Sequence, residues 1–150
     1  MILQIARVLD DGALAALAEA LDDAAMWTDG RMTAAGRARE VKSNQQAAQT
    51  DKAKAALALV ERAILSNPVF QSAAQPAAVA RLMFNRYGEG MAYGAHVDAP
   101  FISGVRTDLS FTLFLSDPGA YDGGALVIDS AGAEDALKPA AGTLVLYPSS

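Results

Sequence analysis

Hydrophobic positions change their period near residue 77, and the change divides the chain. Upstream, Leu14, Leu17, Ala18 and Leu21 recur at helical spacing, and Asp10 or Asp11 stands ready to cap the helix they predict. A second helix is predicted over 51–65, with Ala53, Leu57, Val60 and Ile64 on one face. Asn67-Pro68 ends it, because the residue before a proline is pushed out of the α region. A short strand is predicted over 2–8. Residues 28–50 are polar, contain glycine and show no period, which predicts a long loop of the kind that often carries function.

Downstream the period becomes two. Strands are predicted over 79–87, 91–97, 109–116, 125–129 and 143–147. Leu109, Phe111, Leu113 and Leu115 alternate with Ser110, Thr112, Phe114 and Ser116, so the odd positions form a packing face while Ser110 and Thr112 look towards a cavity. Asp117-Pro118-Gly119 and Asp122-Gly123-Gly124 are turns between strands, with Gly123 and Gly124 placed for positive φ. Two helices followed by many short strands predict an α+β fold whose strands form a sandwich or jelly roll. Residues 1–76 would supply an N-terminal strand and supporting helices, and 77–150 a partial jelly-roll core, in one domain. Residues 142–147 read as a core strand, yet the chain stops three residues later. The expectation is a fragment, incomplete at the C-terminus.

Composition narrows the function. With 52% apolar and 19% charged residues the chain reads as globular. A net charge of −5 with scattered basic residues speaks against nucleic acid, whose binders concentrate Lys and Arg on one face. Arg37, Arg39 and Lys42 form the one local basic cluster, expected to be a solvated loop. The absence of cysteine removes disulfides, thiolate metal sites and a cysteine nucleophile. Gln4 and Arg7 interrupt the apolar N-terminus, and no apolar run reaches the roughly eighteen residues of a membrane span. A cytoplasmic protein without a membrane partner is expected.

The single histidine, His96, stands two residues before Asp98. On an extended backbone such positions project to one side, so an imidazole nitrogen and a carboxylate oxygen can reach one cation at about 2 Å each. They would be two of the three ligands of the facial triad that holds non-haem Fe(II) with open positions. Taken alone the signal is weak: a hydrogen-bonded surface histidine beside a turn aspartate is the more common arrangement, and a non-redox, cupin-like metal-binding jelly roll is a further alternative.

The surrounding residues carry more. Phe84-Asn85-Arg86-Tyr87, Tyr93-Gly94-Ala95-His96-Val97-Asp98 and Arg106-Thr107-Asp108-Leu109-Ser110 occur in order. Thr112-Leu113-Phe114-Leu115-Ser116-Asp117-Pro118, Tyr121-Asp122-Gly123-Gly124 and Gly142-Thr143-Leu144-Val145-Leu146-Tyr147-Pro148-Ser149-Ser150 follow. Weaker matches lie upstream at Trp27-Thr28-Asp29-Gly30-Arg31 and Val41-Lys42-Ser43-Asn44-Gln45-Gln46. In these motifs the chain resembles the bacterial PKHD-type hydroxylases, relatives of the prolyl 4-hydroxylase-like Fe(II)/2-oxoglutarate dioxygenases.

The resemblance implies a double-stranded β-helix and a hydroxylase that couples oxidative decarboxylation of 2-oxoglutarate to hydroxylation of a small-molecule or peptide substrate by O2. It implies His96 and Asp98 as iron ligands, with no further catalytic residue. The family's third histidine ligand, and an arginine that pairs with the far carboxylate of 2-oxoglutarate, would fall beyond Ser150, so residues 1–150 alone are expected to be inactive. Tyr87 is a candidate to hydrogen-bond 2-oxoglutarate, or else an aromatic of the core. Asn44, Gln45 and Gln46 are candidates to border the substrate, Tyr93 to pack beside the ligands, and Arg106 with Asp108 to form a local ion pair. L-ascorbate as reductant and a link to iron homeostasis come from the same resemblance. The stretch 99–105 is shorter than is usual in the family, which loosens any transfer of substrate from relatives.

Overall fold

In the computed structural model, which describes residues 1–130 and 132–150, strand β1 (Leu3–Ile5) leads into helix α1 (Asp11–Leu21). Asp10 starts α1: its Oδ1 accepts the Ala13 N–H at 2.8 Å, satisfying one amide that has no partner within the helix.

Residues 28–50 are more than a loop. They carry most of β2 (Trp27–Asp29), and then α2 (Gly36–Glu40), β3 (Lys42–Ser43) and β4 (Gln45–Ala47). Strands of two or three residues are too short to show a period, so their distant partners decide them. Helix α3 (Asp51–Ser66) follows and buries Ala53, Ala56, Val60 and Ile64. Asn67 then does two jobs. It closes α3, and its Oδ1 accepts the N–H of Val69 and of Phe70, both at 3.0 Å, to cap α4 (Pro68–Ala74). Proline suits the first turn of a helix, where its missing N–H costs nothing. The sequence pattern showed the stop and missed the start.

The second half is β-rich as expected, with shorter strands: β5 (Asn85–Arg86), β6 (Ala92–Tyr93), β7 (Phe101–Ile102) and β8 (Val105–Arg106). Then come β9 (Leu109–Leu113), β10 (Leu126–Ser130), β11 (Ala133–Leu137) and β12 (Leu144–Pro148). The β7–β8 hairpin, unforeseen from the pattern, turns on Ser103 and Gly104, both at positive φ as a type I′ turn requires.

The sheet that organises the molecule has the order β1-β12-β9, all antiparallel. Its register aligns Leu3 and Phe111 with Leu146, and Ile5 and Leu113 with Leu144. That face packs on Leu17, Val60, Ile64 and Phe70 from the helices. Phe70 meets Phe111 edge-on, with centroids 5.8 Å apart. The opposite face carries Ser110, Thr112 and Tyr147, matching the predicted alternation. Gly142 sets the entry to β12: its carbonyl accepts the Val8 N–H at 2.8 Å, and a Cβ there would lie 2.5 Å from the Leu9 carbonyl oxygen.

The other pairings are β2-β4-β5, β3–β6 and the hairpins β7–β8 and β10–β11. They make the fold a mixture of helix and sheet. The two facing four-stranded sheets of a complete jelly roll are not drawn among the described residues, because the two hairpins pair only with themselves. No helix among those residues is long and apolar enough to cross a membrane.

Candidate metal centre

His96 and Asp98 lie in the irregular segment between β6 and β7, and their side chains converge. His96 Nε2 stands 3.3 Å from Asp98 Oδ1, the two side chains being 22% and 35% exposed. Two ligand bonds of about 2.1 Å meeting near a right angle separate their donor atoms by about 3 Å. The spacing therefore fits a shared cation.

The outer atoms of both groups are already engaged. His96 Nδ1 lies 2.7 Å from the Gly94 carbonyl oxygen, which can only accept, so Nδ1 carries a proton. In the neutral imidazole the lone pair is then on Nε2, facing a carboxylate oxygen. Two acceptor atoms facing each other at this distance suit a cation shared between them. Asp98 Oδ2 accepts from Ser110 Oγ, leaving Oδ1 directed at His96. Outer partners that orient a histidine and a carboxylate in this way are usual around bound metals. Tyr93 stacks on His96 with centroids 3.6 Å apart and planes 8° from parallel. Among the described residues no group of three or more His, Asp or Glu side chains is placed to hold a metal, so the pair stands as two donors.

Tyr93 and Tyr147 lie within electrostatic reach of Asp98, and Tyr87 within reach of both of those phenols. The Tyr87 hydroxyl accepts from Asn44 Nδ2 at 3.1 Å; desolvation raises its pKa, and that hydrogen bond works against the rise. Tyr93 is raised by burial and, less, by the negative charges of Asp98 and Tyr87. Tyr147 is likewise raised by burial, with Thr112 opposing through a 3.4 Å contact and Asp98 adding to the rise. All three stay protonated at neutral pH as hydrogen-bond donors. Tyr147 was not singled out in the sequence. What brings it here is the β9–β12 register, which sets it opposite Ser110, and no local motif reports that.

Residues 42–46 reach the site through β3, where Lys42 pairs with Tyr93 and the Gly94 N–H donates to the Val41 carbonyl at 2.8 Å. Lys42, Asn44 and Gln46 are buried at alternating positions. Of the three residues expected to border a substrate, Asn44 alone touches the cluster, through Tyr87. Its Oδ1 is buried without a partner. Gln45 instead accepts two hydrogen bonds from Arg86, at 2.9 and 2.8 Å, and Arg86 lies over the Trp27 ring. Gln46 is tied to Thr33 Oγ1 at 2.8 Å and to the Met83 sulfur. Lys42 corrects the reading of a solvated basic cluster: it is 6% exposed. Arg106 and Asp108 do pair, at 3.0 Å on the surface, where such a bridge contributes little.

Comparison with known proteins defines the class first. The family model described as the 2OG-Fe(II) oxygenase superfamily matches residues 82–150, the part that holds His96 and Asp98. The crystal structure of a Pseudomonas putida prolyl-4-hydroxylase superposes with a TM-score of 0.65 at 24% identity, covering 99% of this chain and 79% of that one, which establishes a shared fold. A PKHD-type hydroxylase of Picosynechococcus sp. is 45% identical over 150 residues, spanning 99% of this chain and 68% of the relative. Those of Caulobacter sp. (strain K31) and Parvibaculum lavamentivorans are each 44% identical, over 100% and 99% of the chain and 69% and 68% of their own lengths. The chain belongs to the PKHD-type hydroxylases, and so to a family of oxygenase enzymes.

Proposed function

We propose that the chain serves a 2-oxoglutarate-dependent hydroxylase in which His96 and Asp98 supply two of the three protein ligands to Fe(II). The reading rests on the 3.3 Å between Nε2 and Oδ1, with the far atom of each group held by Gly94 and Ser110. When bound, iron and 2-oxoglutarate supply the oxidative chemistry, the decarboxylation being coupled to hydroxylation of a C–H bond by O2. The protein's part is positioning. The Gly94 carbonyl fixes the imidazole tautomer, Tyr93 holds the ring plane, and Ser110 fixes the carboxylate rotamer. Tyr87, tethered by Asn44, offers its phenolic O–H to a carboxylate of 2-oxoglutarate.

The finer expectations belong to the same proposal. The strands form part of a double-stranded β-helix, and residues 1–76 and 77–150 make one domain, supported by a core that takes Leu17 and Ile64 from one part and Leu144 and Leu146 from the other. L-ascorbate as reductant, a small-molecule or peptide substrate, cytoplasmic placement and a link to iron homeostasis rest on the family resemblance.

The test is metal binding by the 150-residue chain, read from the visible absorption of Co(II), which replaces Fe(II) without reacting with oxygen. His96→Ala and Asp98→Ala should each weaken binding by about tenfold or more, since even outer-shell partners of metal ligands are worth that much. If either variant binds Co(II) as the wild type does, the ligand assignment is wrong. Succinate release from 2-oxoglutarate with Fe(II), measured on a chain extended to the full length of its relatives, then tests the reaction itself.

A further inference from the structure

One buried charge is left unused by that proposal. Lys42 has no carboxylate partner among the described residues, where the ion pairs are Arg31–Asp29, His96–Asp98 and Arg106–Asp108. An ammonium has three donors, and Lys42 uses one, on Thr33 Oγ1 at 3.2 Å. Its other polar neighbour is the face of Tyr93, with Nζ 4.8 Å from the ring centroid. A cation withdrawn from water without an anion is costly.

The surroundings add to that cost. Arg81 donates to the Thr33 carbonyl at 3.5 Å, which brings a second cation to the same residue, close enough to act on Lys42. The acid within reach, Asp29, is gripped by Arg31 through Nε and Nη2 and also feels Arg39. Arg31, Arg39 and Lys42 thus share the Asp29 carboxylate, and Arg81 adds a further cation beside Lys42, in a chain whose net charge is −5.

We infer that Lys42, with Arg81 beside it, is a binding site for the carboxylate of an organic ligand, separate from the His96–Asp98 pair. The separation comes from Tyr93. His96 covers one face of that ring at 3.6 Å, which leaves no room there for an ammonium, so Lys42 occupies the other face. A bound carboxylate accepts from the two spare Lys42 N–H groups and from the Arg81 guanidinium, whose fork matches it. Naming that ligand the hydroxylation substrate rests on the function proposed above; the anion site itself does not.

The experiment strips metal from the chain with EDTA and titrates succinate by calorimetry, with thermal unfolding as a second readout, because a ligand that binds the folded state raises Tm. Wild type should bind saturably. Lys42→Met should weaken binding at least tenfold, Lys42→Arg should stay within a few-fold of wild type, and the exposed control Arg106→Gln should bind unchanged. Should Lys42→Met fail to fold, the exposed Arg81→Gln reads the same contact, with at least a threefold loss expected. No saturable binding by wild type, or equal binding by Lys42→Met, overturns the site. Repeating the titration with Co(II) tests the separation: unchanged affinity supports it, and a tenfold gain would make the carboxylate part of the metal centre. Because the first titration is metal-free, a failure of the iron assignment leaves its outcome untouched.

Discussion

Adding one carbon at Gly30 would test how the site is held together. A Cβ there would sit 1.8 Å from Asn44 Oδ1, 2.9 Å from its Cγ and 3.2 Å from its backbone oxygen. The backbone cannot retreat cheaply, because the Gly30 N–H donates to the Asn44 carbonyl at 3.0 Å. The Asn44 side chain is buried, so Gly30→Ala must drive it from its place and break the 3.1 Å bond to Tyr87. Overpacking costs about 1–3 kcal/mol and the lost hydrogen bond about 1 kcal/mol. The total of about 2–4 kcal/mol corresponds to a Tm lower by about 4–16 °C in a chain of this size. Thermal unfolding of Gly30→Ala, Asn44→Ala and the double variant forms the cycle that isolates the contact. Asn44→Ala clears the space the new methyl needs, so the double variant should melt within about 2 °C of Asn44→Ala, well above the additive value. If Gly30→Ala melts with the wild type, or the two losses simply add, Asn44 does not occupy the space above Gly30 and the support of Tyr87 must be redrawn.

Two further outcomes follow from the same geometry. Ser110→Ala removes the donor on Asp98 Oδ2 and should weaken Co(II) binding by about tenfold while leaving Tm almost unchanged; an unaltered affinity would mean that Ser110 does not orient the ligand. Tyr147 has a phenol raised by burial, so its contribution to stability is whole below the unfolded pKa near 10 and is lost as pH climbs through the higher folded value. Tyr147→Phe should therefore lose Tm less steeply than wild type above about pH 10, and parallel curves would show that this phenol is not desolvated.

Long periodic segments were legible. Helices α1 and α3 fall where the helical spacing put them, and the alternation in 109–116 assigned Ser110 and Thr112 to the face away from the core. The family was legible too, because its motifs are contiguous. The stretch 28–50 was not, since two-residue strands have no period and exist by pairing with partners such as Tyr93 and Arg86, some forty to fifty residues distant. Lys42, Asn44 and Gln46 do alternate, but polar residues at alternate positions ordinarily face water, and only the tertiary contacts bury these.

By itself the sequence determined the presence of His96 and Asp98 two positions apart, the helices that cover the core, and membership of a hydroxylase family. Chain neighbours and local periodicity carry that information. The tertiary structure decided which atoms of the pair face each other, which are held from behind, that Ser110, Tyr93 and Tyr147 gather round them, and that an uncompensated lysine lies beyond Tyr93. Those relations depend on sheet register and on packing between residues far apart in the chain, where burial changes the energy of every charge and hydrogen bond.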